Sequence, residues 1–255
     1  MNGLLLRADD LGYSKGVNYG ILSTIQSGVI RTVGFMVNMS ASQHGIDLVK
    51  DYDLCLGLHT NICVGKPLTP PKEIASLCQE NGEFKSSTSY REVFSKGEDF
   101  VKFEEVVQEI EAQYRRFVEF TNRQPDYFEG HAVASPTFFK GLEYVAQKYD
   151  LPYFAMSLDG QPIKFKGTKI YSYLPKDLKK YEQNPLNAIF DCARNLHQDG
   201  IDLMVFHPGY IDQYLLNHSS LVKLRAKEAE VLSQKNLKEK IEQLGVTLVT
   251  YRDFN

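Results

Sequence analysis

The sequence predicts an α/β protein with a largely parallel sheet, folded as a single domain over residues 1–255. Short apolar runs alternate with helical patterns along the chain, which is typical of βαβ units. The length of 255 residues fits one domain of α/β-barrel size as well as two small ones. Because no linker, low-complexity tract or fixed-period repeat divides the chain, we expect one domain.

The first part of the chain predicts three strands and one helix. Ser14 can cap a helix whose apolar residues recur every four positions, and Gly28 supplies its end. The β-like runs that flank this helix are Leu4–Leu6, Thr32–Met39 and Leu54–Leu58.

The middle of the chain predicts a long loop followed by the clearest helix. Residues 65–97 are rich in proline, serine and threonine, and we expect a loop with at most a short helix there. A connection of this length is unusual in a compact domain unless it has a function, such as covering a site. An apolar stripe then runs from Phe103 to Val118, with acidic residues opposite, as in an amphipathic helix.

The second half continues the alternation of helices and strands. An irregular or hairpin segment is expected at residues 160–180. Helices are predicted near Thr137–Lys148, Pro185–His197 and Leu221–Leu244. Strands are predicted at Tyr127–Phe128, Tyr153–Leu158, Leu203–Phe206 and Val246–Thr250.

Composition excludes several classes of partner. The net charge is -3, and basic residues are mixed with acidic ones, so no nucleic-acid surface is expected. No apolar run approaches the length of a membrane span. The four cysteines lack C-x-x-C spacing, and only Leu4–Leu6 precedes Arg7 near the N-terminus, so we expect reduced thiols and a cytoplasmic protein.

Chemically strong side chains recur where predicted strands end. They are Asp9 with Asp10, His59, His131 and His207. The carboxyl ends of parallel strands share one face, so these groups should converge there. Two neutral imidazoles and one carboxylate can bind a divalent ion that activates water. Adjacent aspartates on an extended chain point in opposite directions, so Asp9 and Asp10 should have different roles.

Four segments resemble motifs of the YdjC family, which includes chitooligosaccharide deacetylases. They occur in the family's order and span nearly the whole chain. The segments are Leu6–Gly12 with Asn18 and Gly28, Gly57–Asn61 with Gly65–Pro67, Tyr127–His131 with Pro136, and His207–Gly209.

The resemblance implies a distorted TIM-like β/α barrel and a metal-dependent carbohydrate deacetylase. It places metal ligation on Asp10, His59 and His131. By analogy with other polysaccharide deacetylases, Asp9 would be the general base and His207 the general acid. One divalent ion is expected, with Mg²⁺ and Zn²⁺ both suited to the ligand set. The expected partner is a small N-acetylated carbohydrate, and the oligomeric state stays open, a homodimer included.

The third motif departs from the family pattern. Glu129 stands where an aspartate is common, and Ala132, Val133 and Ser135 replace further histidines. His131 is retained, so a metal site can form. The substrate contacts and the activity are therefore open to change.

Each candidate also has a simpler interpretation. The segment Asp9–Gly12 could be a turn that caps the next helix. His59 and His131 could be strand-end histidines bonded to the backbone, and His207–Gly209 could be a simple turn. Cys63 is expected to be a buried thiol. The joint pattern favours a metal site.

Two other functions compete with the deacetylase. A metal-dependent hydrolase could act on a phosphate ester or another amide, although two-metal enzymes usually need more ligands. A sugar-binding protein could also have kept the pocket and lost the chemistry, as the altered third motif suggests.

Overall fold

One curled sheet organises the protein. The computed structural model describes residues 3–157 and 160–254. Within these ranges the strands are β1 (Gly3–Leu11), β2 (Thr32–Phe35), β3 (Cys55–Thr60), β4 (Phe128–Gly130), β5 (Ile163–Phe165), β6 (Thr168–Ser172), β7 (Ile201–Phe206) and β8 (Leu248–Val249). Their order is β4-β3-β2-β1-β7-β6-β5, and β8 pairs with the first half of β1.

The sheet is parallel except for the β5–β6 hairpin. Its two edges curl toward each other, and the rings of Phe154 and Phe165 lie 5.9 Å apart. Among the described residues, packing rather than a hydrogen-bonded ladder joins these edges. The structure therefore confirms the α/β class and the distorted barrel, and it confirms a hairpin in the segment 160–180.

Helices surround the sheet. They are α1 (Lys15–Gln26), α2 (Ser42–Val49), α3 (Ser87–Phe94), α4 (Phe103–Thr121), α5 (Pro136–Tyr149), α6 (Leu178–Gln183), α7 (Pro185–Arg194), α8 (Gln213–His218), α9 (Lys223–Leu232) and α10 (Leu237–Glu242). A 3-10 helix follows at Tyr251–Asp253. Ser14 caps α1 by accepting a hydrogen bond from Val17, as the sequence predicts.

The strands alternate between two cores, as the pleat requires. On β1, Leu4, Leu6 and Ala8 face the helices, and Leu5 faces the barrel interior. Aromatic rings fill the interior near the amino ends of the strands, with Tyr251 packed 4.5 Å from Tyr127. The carboxyl ends of the strands are thereby left for polar side chains.

Two predicted strands are wrong in extent. The run Thr32–Met39 is a strand only to Phe35, because Ser42 donates to the Met36 carbonyl and turns the chain into α2. The run Tyr153–Leu158 forms a single bridge, between Tyr153 and Phe128. Leu158 lies outside the described residues.

The predicted helix Leu221–Leu244 is two helices, α9 and α10. Leu232 and Leu237 are both fully buried. Residues five apart lie about 140° apart around a straight helix, so one helix could not bury both against the same core. The break between them allows each to pack inward.

Candidate metal centre

The predicted site residues meet at the carboxyl ends of parallel strands. Asp9 and Asp10 lie near the end of β1, and His59 lies one residue before the end of β3. His131 follows β4, and His207 follows β7. The structure therefore brings all five to one face of the sheet.

Asp10, His59 and His131 form a compact cluster of possible ligand atoms. Asp10 Oδ1 lies 3.2 Å from His59 Nε2 and 3.2 Å from His131 Nδ1. The two ring nitrogens are 2.8 Å apart. Asp10 Oδ1 is buried and has no hydrogen-bond partner among the described residues. A carboxylate oxygen and two imidazole nitrogens this close fit one divalent cation.

A local change in the backbone turns both aspartates toward the site. Asp10 has φ 76°, in the left-handed region, and the pairing of β1 with β2 shifts register between Ala8 and Leu11. Asp tolerates this region better than most residues. Adjacent aspartates on a regular strand would point in opposite directions, as expected from the sequence. The bulge at Asp10 turns both toward the site.

Glu129 orients His59. Its carboxylate contacts His59 Nδ1, and a proton held on that nitrogen leaves the Nε2 lone pair facing Asp10. Carboxylates commonly fix the tautomer of metal-binding histidines in this way. The residue that departs from the family pattern therefore supports the cluster.

Arg7 contacts the site, and sequence reasoning did not single it out. Its Nη2 donates to Asp9 Oδ2 at 2.8 Å and lies 3.6 Å from Glu129 Oε2. The guanidinium is buried and lies over the Tyr127 ring at 5.5 Å. A charged residue two positions before Asp9, on the same side of β1, was the available signal.

Asp9 keeps one carboxylate oxygen free. Its Oδ1 is buried and has no hydrogen-bond partner among the described residues. Gly34 provides the space, because a Cβ there would lie 2.5 Å from that oxygen. Asp9 can therefore accept a proton at Oδ1 while Arg7 holds Oδ2.

Arg225, on α9, is the second residue that sequence reasoning missed. Its Nη2 donates to Asp10 Oδ2 at 2.6 Å, and its Nη1 donates to the His207 carbonyl at 3.4 Å. The guanidinium is buried and also lies over Tyr13. Because it lies 215 residues from Asp10 in the chain, no local pattern could indicate this pair.

These ion pairs set the charge of the cluster. Burial alone would raise the pKa of Asp10, but Arg225 and His131 hold it well below its usual range. Burial alone would lower the pKa of His131, but the Asp10 carboxylate raises it to about 9. The unliganded cluster is therefore a charged network.

His207 lies beside the cluster in a different state. Burial lowers the pKa of its imidazole to about 4, so the ring is neutral near pH 7. Its backbone N–H donates to Glu228 Oε2 at 2.7 Å. Tyr181 donates to the other oxygen of Glu228 at 2.6 Å. Together with Arg225, this arrangement fixes the loop that carries His207.

The altered third motif has a structural role. Ser135 caps α5 by accepting from the Phe138 N–H, and Val133 is buried. Ala132 is exposed with φ 50°. The His131 N–H donates to the Thr60 carbonyl at 2.8 Å, which extends the β3–β4 register to the ligand.

Cys63 lies next to the cluster. Cys63 is buried near His131, as expected for a structural thiol.

The family comparison agrees with these motifs. The model of the YdjC-like protein family matches residues 3–243. The chain belongs to this family.

Named relatives of this YdjC-like protein match over almost their whole length. Carbohydrate deacetylase 2 of Listeria innocua serovar 6a is 32% identical over 256 residues, covering 98% of both chains. A carbohydrate deacetylase of Geobacillus stearothermophilus is 31% identical over 257 residues, covering 98% of this chain and 97% of the relative.

A solved structure shares the fold. It is a protein of Enterococcus faecalis V583 described as a candidate cellobiose-phosphate cleavage protein. The TM-score is 0.81 at 23% identity, and the match covers 99% of each chain. None of the helices in the described part of this YdjC-like protein is long and apolar enough to span a membrane.

Proposed function

We propose that this YdjC-like protein is a metal-dependent hydrolase that removes the acetyl group from N-acetylated sugars. Chitooligosaccharides and diacetylchitobiose-type sugars are the first candidate substrates. The observation that carries the proposal is the cluster of Asp10, His59 and His131 beside the free oxygen of Asp9. Relatives named carbohydrate deacetylases, aligned over 98% of the chain, support the choice of sugar.

The cluster supports one cation rather than two. Asp9, His59 and Glu129 form a second group of possible ligands. Arg7 already places a positive charge on both carboxylates of that group. A second cation would be repelled there, which argues against a two-metal phosphoesterase.

A divalent cation such as Mg²⁺ or Zn²⁺ held by Asp10, His59 and His131 would polarise the amide carbonyl and acidify the attacking water. Asp9 Oδ1 accepts a proton from that water as its oxygen bonds to the carbonyl carbon. The C–N bond then breaks, and His207 protonates the departing nitrogen. The products are acetate and the free amino sugar.

His207 must gain a proton before it can act as the acid. Its pKa of about 4 leaves it neutral near pH 7 in the free protein. Negative charge that develops on the substrate raises the pKa of a nearby imidazole. His207 therefore takes up a proton from solvent as the carbonyl is attacked and passes it to the departing nitrogen, while Asp9 returns the proton it accepted to solvent.

The proposed compartment is the cytoplasm, where thiols stay reduced. All four cysteines are buried and unpaired, which supports this assignment.

The decisive experiment measures acetate release from N-acetylglucosamine and short chitooligosaccharides, phosphorylated and not. Each reaction is run with Mg²⁺, Zn²⁺ or Co²⁺ and after chelation. The Asp10→Ala and His59→Ala variants should lose bound metal and activity together. His197→Ala is the matched control, because His197 lies half exposed and pairs with Asp202, outside the cluster.

Full activity in either ligand variant would refute the ligand assignment. No acetate from any sugar, with one metal bound per chain, would indicate another substrate bond or a binding role.

A further inference from the structure

A cavity of about 320 Å³ lies where the two curled edges of the sheet approach each other, and Arg7 and Glu129, which contact Asp9 and His59, are part of its lining. Residues 154–157 and Ile163, on the β5–β6 hairpin, also line it. Arg7, Leu203 and Val205 line it from the paired strands β1 and β7, and Glu129 lines it from β4. This volume falls within the range of small-molecule sites.

The strand register places the cavity one layer below the reactive groups. Arg7 lies two residues before Asp9, and Val205 lies two residues before His207. Residues two apart on a strand share a face and are separated by about 7 Å along it. A group bound at Asp9 and His207 therefore has the cavity directly beneath it.

The cavity walls suit a hydrocarbon chain. Most of the lining side chains are apolar, among them Phe139, Leu142, Phe154, Ile163, Leu203 and Val205. A sugar ring placed there would bury hydroxyls with few partners, which is costly. The two charged side chains of the wall already serve Asp9 and His59. The sugar itself must therefore lie outside this cavity.

We propose that the cavity receives the acyl chain of the substrate, so that the protein hydrolyses N-acyl amino sugars with acyl groups longer than acetyl. This inference rests on the proposed function. Its volume of about 320 Å³ is many times the roughly 30 Å³ that one water occupies in the liquid, so the cavity holds far more than a methyl group. The acyl carbonyl stays at the cluster, and its chain extends down past Val205.

The test compares N-acetyl-, N-butyryl- and N-hexanoylglucosamine as substrates of the metal-loaded protein. We expect kcat/KM to rise about fourfold for each buried methylene until the cavity is filled. Ala155→Phe narrows the cavity from its open side, away from the cluster. This variant should lose the gain from longer chains and keep acetyl hydrolysis.

Two controls guard the interpretation. Ala75→Phe makes the same substitution at an exposed position that does not line the cavity, and it should behave as the unmodified protein. Ser172→Leu fills the cavity from β6 and replaces Ala155→Phe if that variant does not fold.

Failure of the inference differs from failure of the proposed function. If acetate is released but butyrate and hexanoate are not, the acyl site is refuted and the deacetylase stands. If no amide is cleaved, the proposed function fails, and the acyl-chain site is tested by the affinity of the protein for the N-acylglucosamines. N-hexanoylglucosamine should then bind at least tenfold tighter than N-acetylglucosamine in the presence of chelator, and equal affinities would refute the cavity.

Discussion

Replacement of Arg225 by methionine tests how the cluster is held. Arg225 and Asp10 form a buried ion pair with 2.6 Å between Nη2 and Oδ2. The side chain of Arg225 is 4% exposed and that of Asp10 is 0% exposed, so solvent screens the pair little. Arg225→Met keeps most of the side-chain volume and leaves the Asp10 charge without its main partner.

Removal of one member of a buried pair typically costs about 3–5 kcal/mol, because the remaining charge stays desolvated. For a chain of this size, that loss corresponds to a fall in Tm of roughly 6–20 °C. The deficit should shrink as the pH falls, because loss of Arg225 raises the pKa of Asp10 and protonation then removes the uncompensated charge.

The assay is urea unfolding of the protein and the variant in chelator, at pH 7 and at pH 5. Arg115→Met is the matched control, because Arg115 is 59% exposed and pairs with Glu111 on one helix. That control should change the free energy of unfolding by less than about 0.5 kcal/mol. A loss below about 1 kcal/mol in Arg225→Met would refute the reasoning.

Three further changes test the surroundings of the cluster. Glu129→Gln should weaken metal affinity about 10–100-fold in equilibrium dialysis, and unchanged affinity would exclude an orienting role. Gly34→Ala should lower kcat up to about 10²-fold, with Tm nearly retained, because the added Cβ displaces Asp9 Oδ1. An unaltered kcat would argue against Asp9 as the base. Burial raises the pKa of Glu228 to about 7, so its contribution to stability is present below about pH 4 and is lost as the pH rises through 7. Between pH 4 and 7 the unmodified protein should lose about 3 kcal/mol of unfolding free energy through this group, and Glu228→Gln should not show that loss. An identical pH profile for the two proteins would contradict the raised pKa of Glu228.

The sequence by itself determined the alternation of strands and helices and the strand ends that carry the site. Apolar runs and helical stripes are local signals, and α4 and α5 lie where those signals place them. The convergence of Asp10, His59 and His131 followed from the parallel sheet, since parallel strands present their carboxyl ends on one face. The family motifs then indicated which of these residues could ligate.

The tertiary structure alone decided how these groups are held. Both aspartates face the site because Asp10 takes φ 76° at a register shift, which a period-two pattern does not contain. Arg225 reaches Asp10 across 215 residues, and the break between α9 and α10 depends on burying Leu232 and Leu237 together. Such features arise from contacts between distant segments, and local residue patterns carry no information about them.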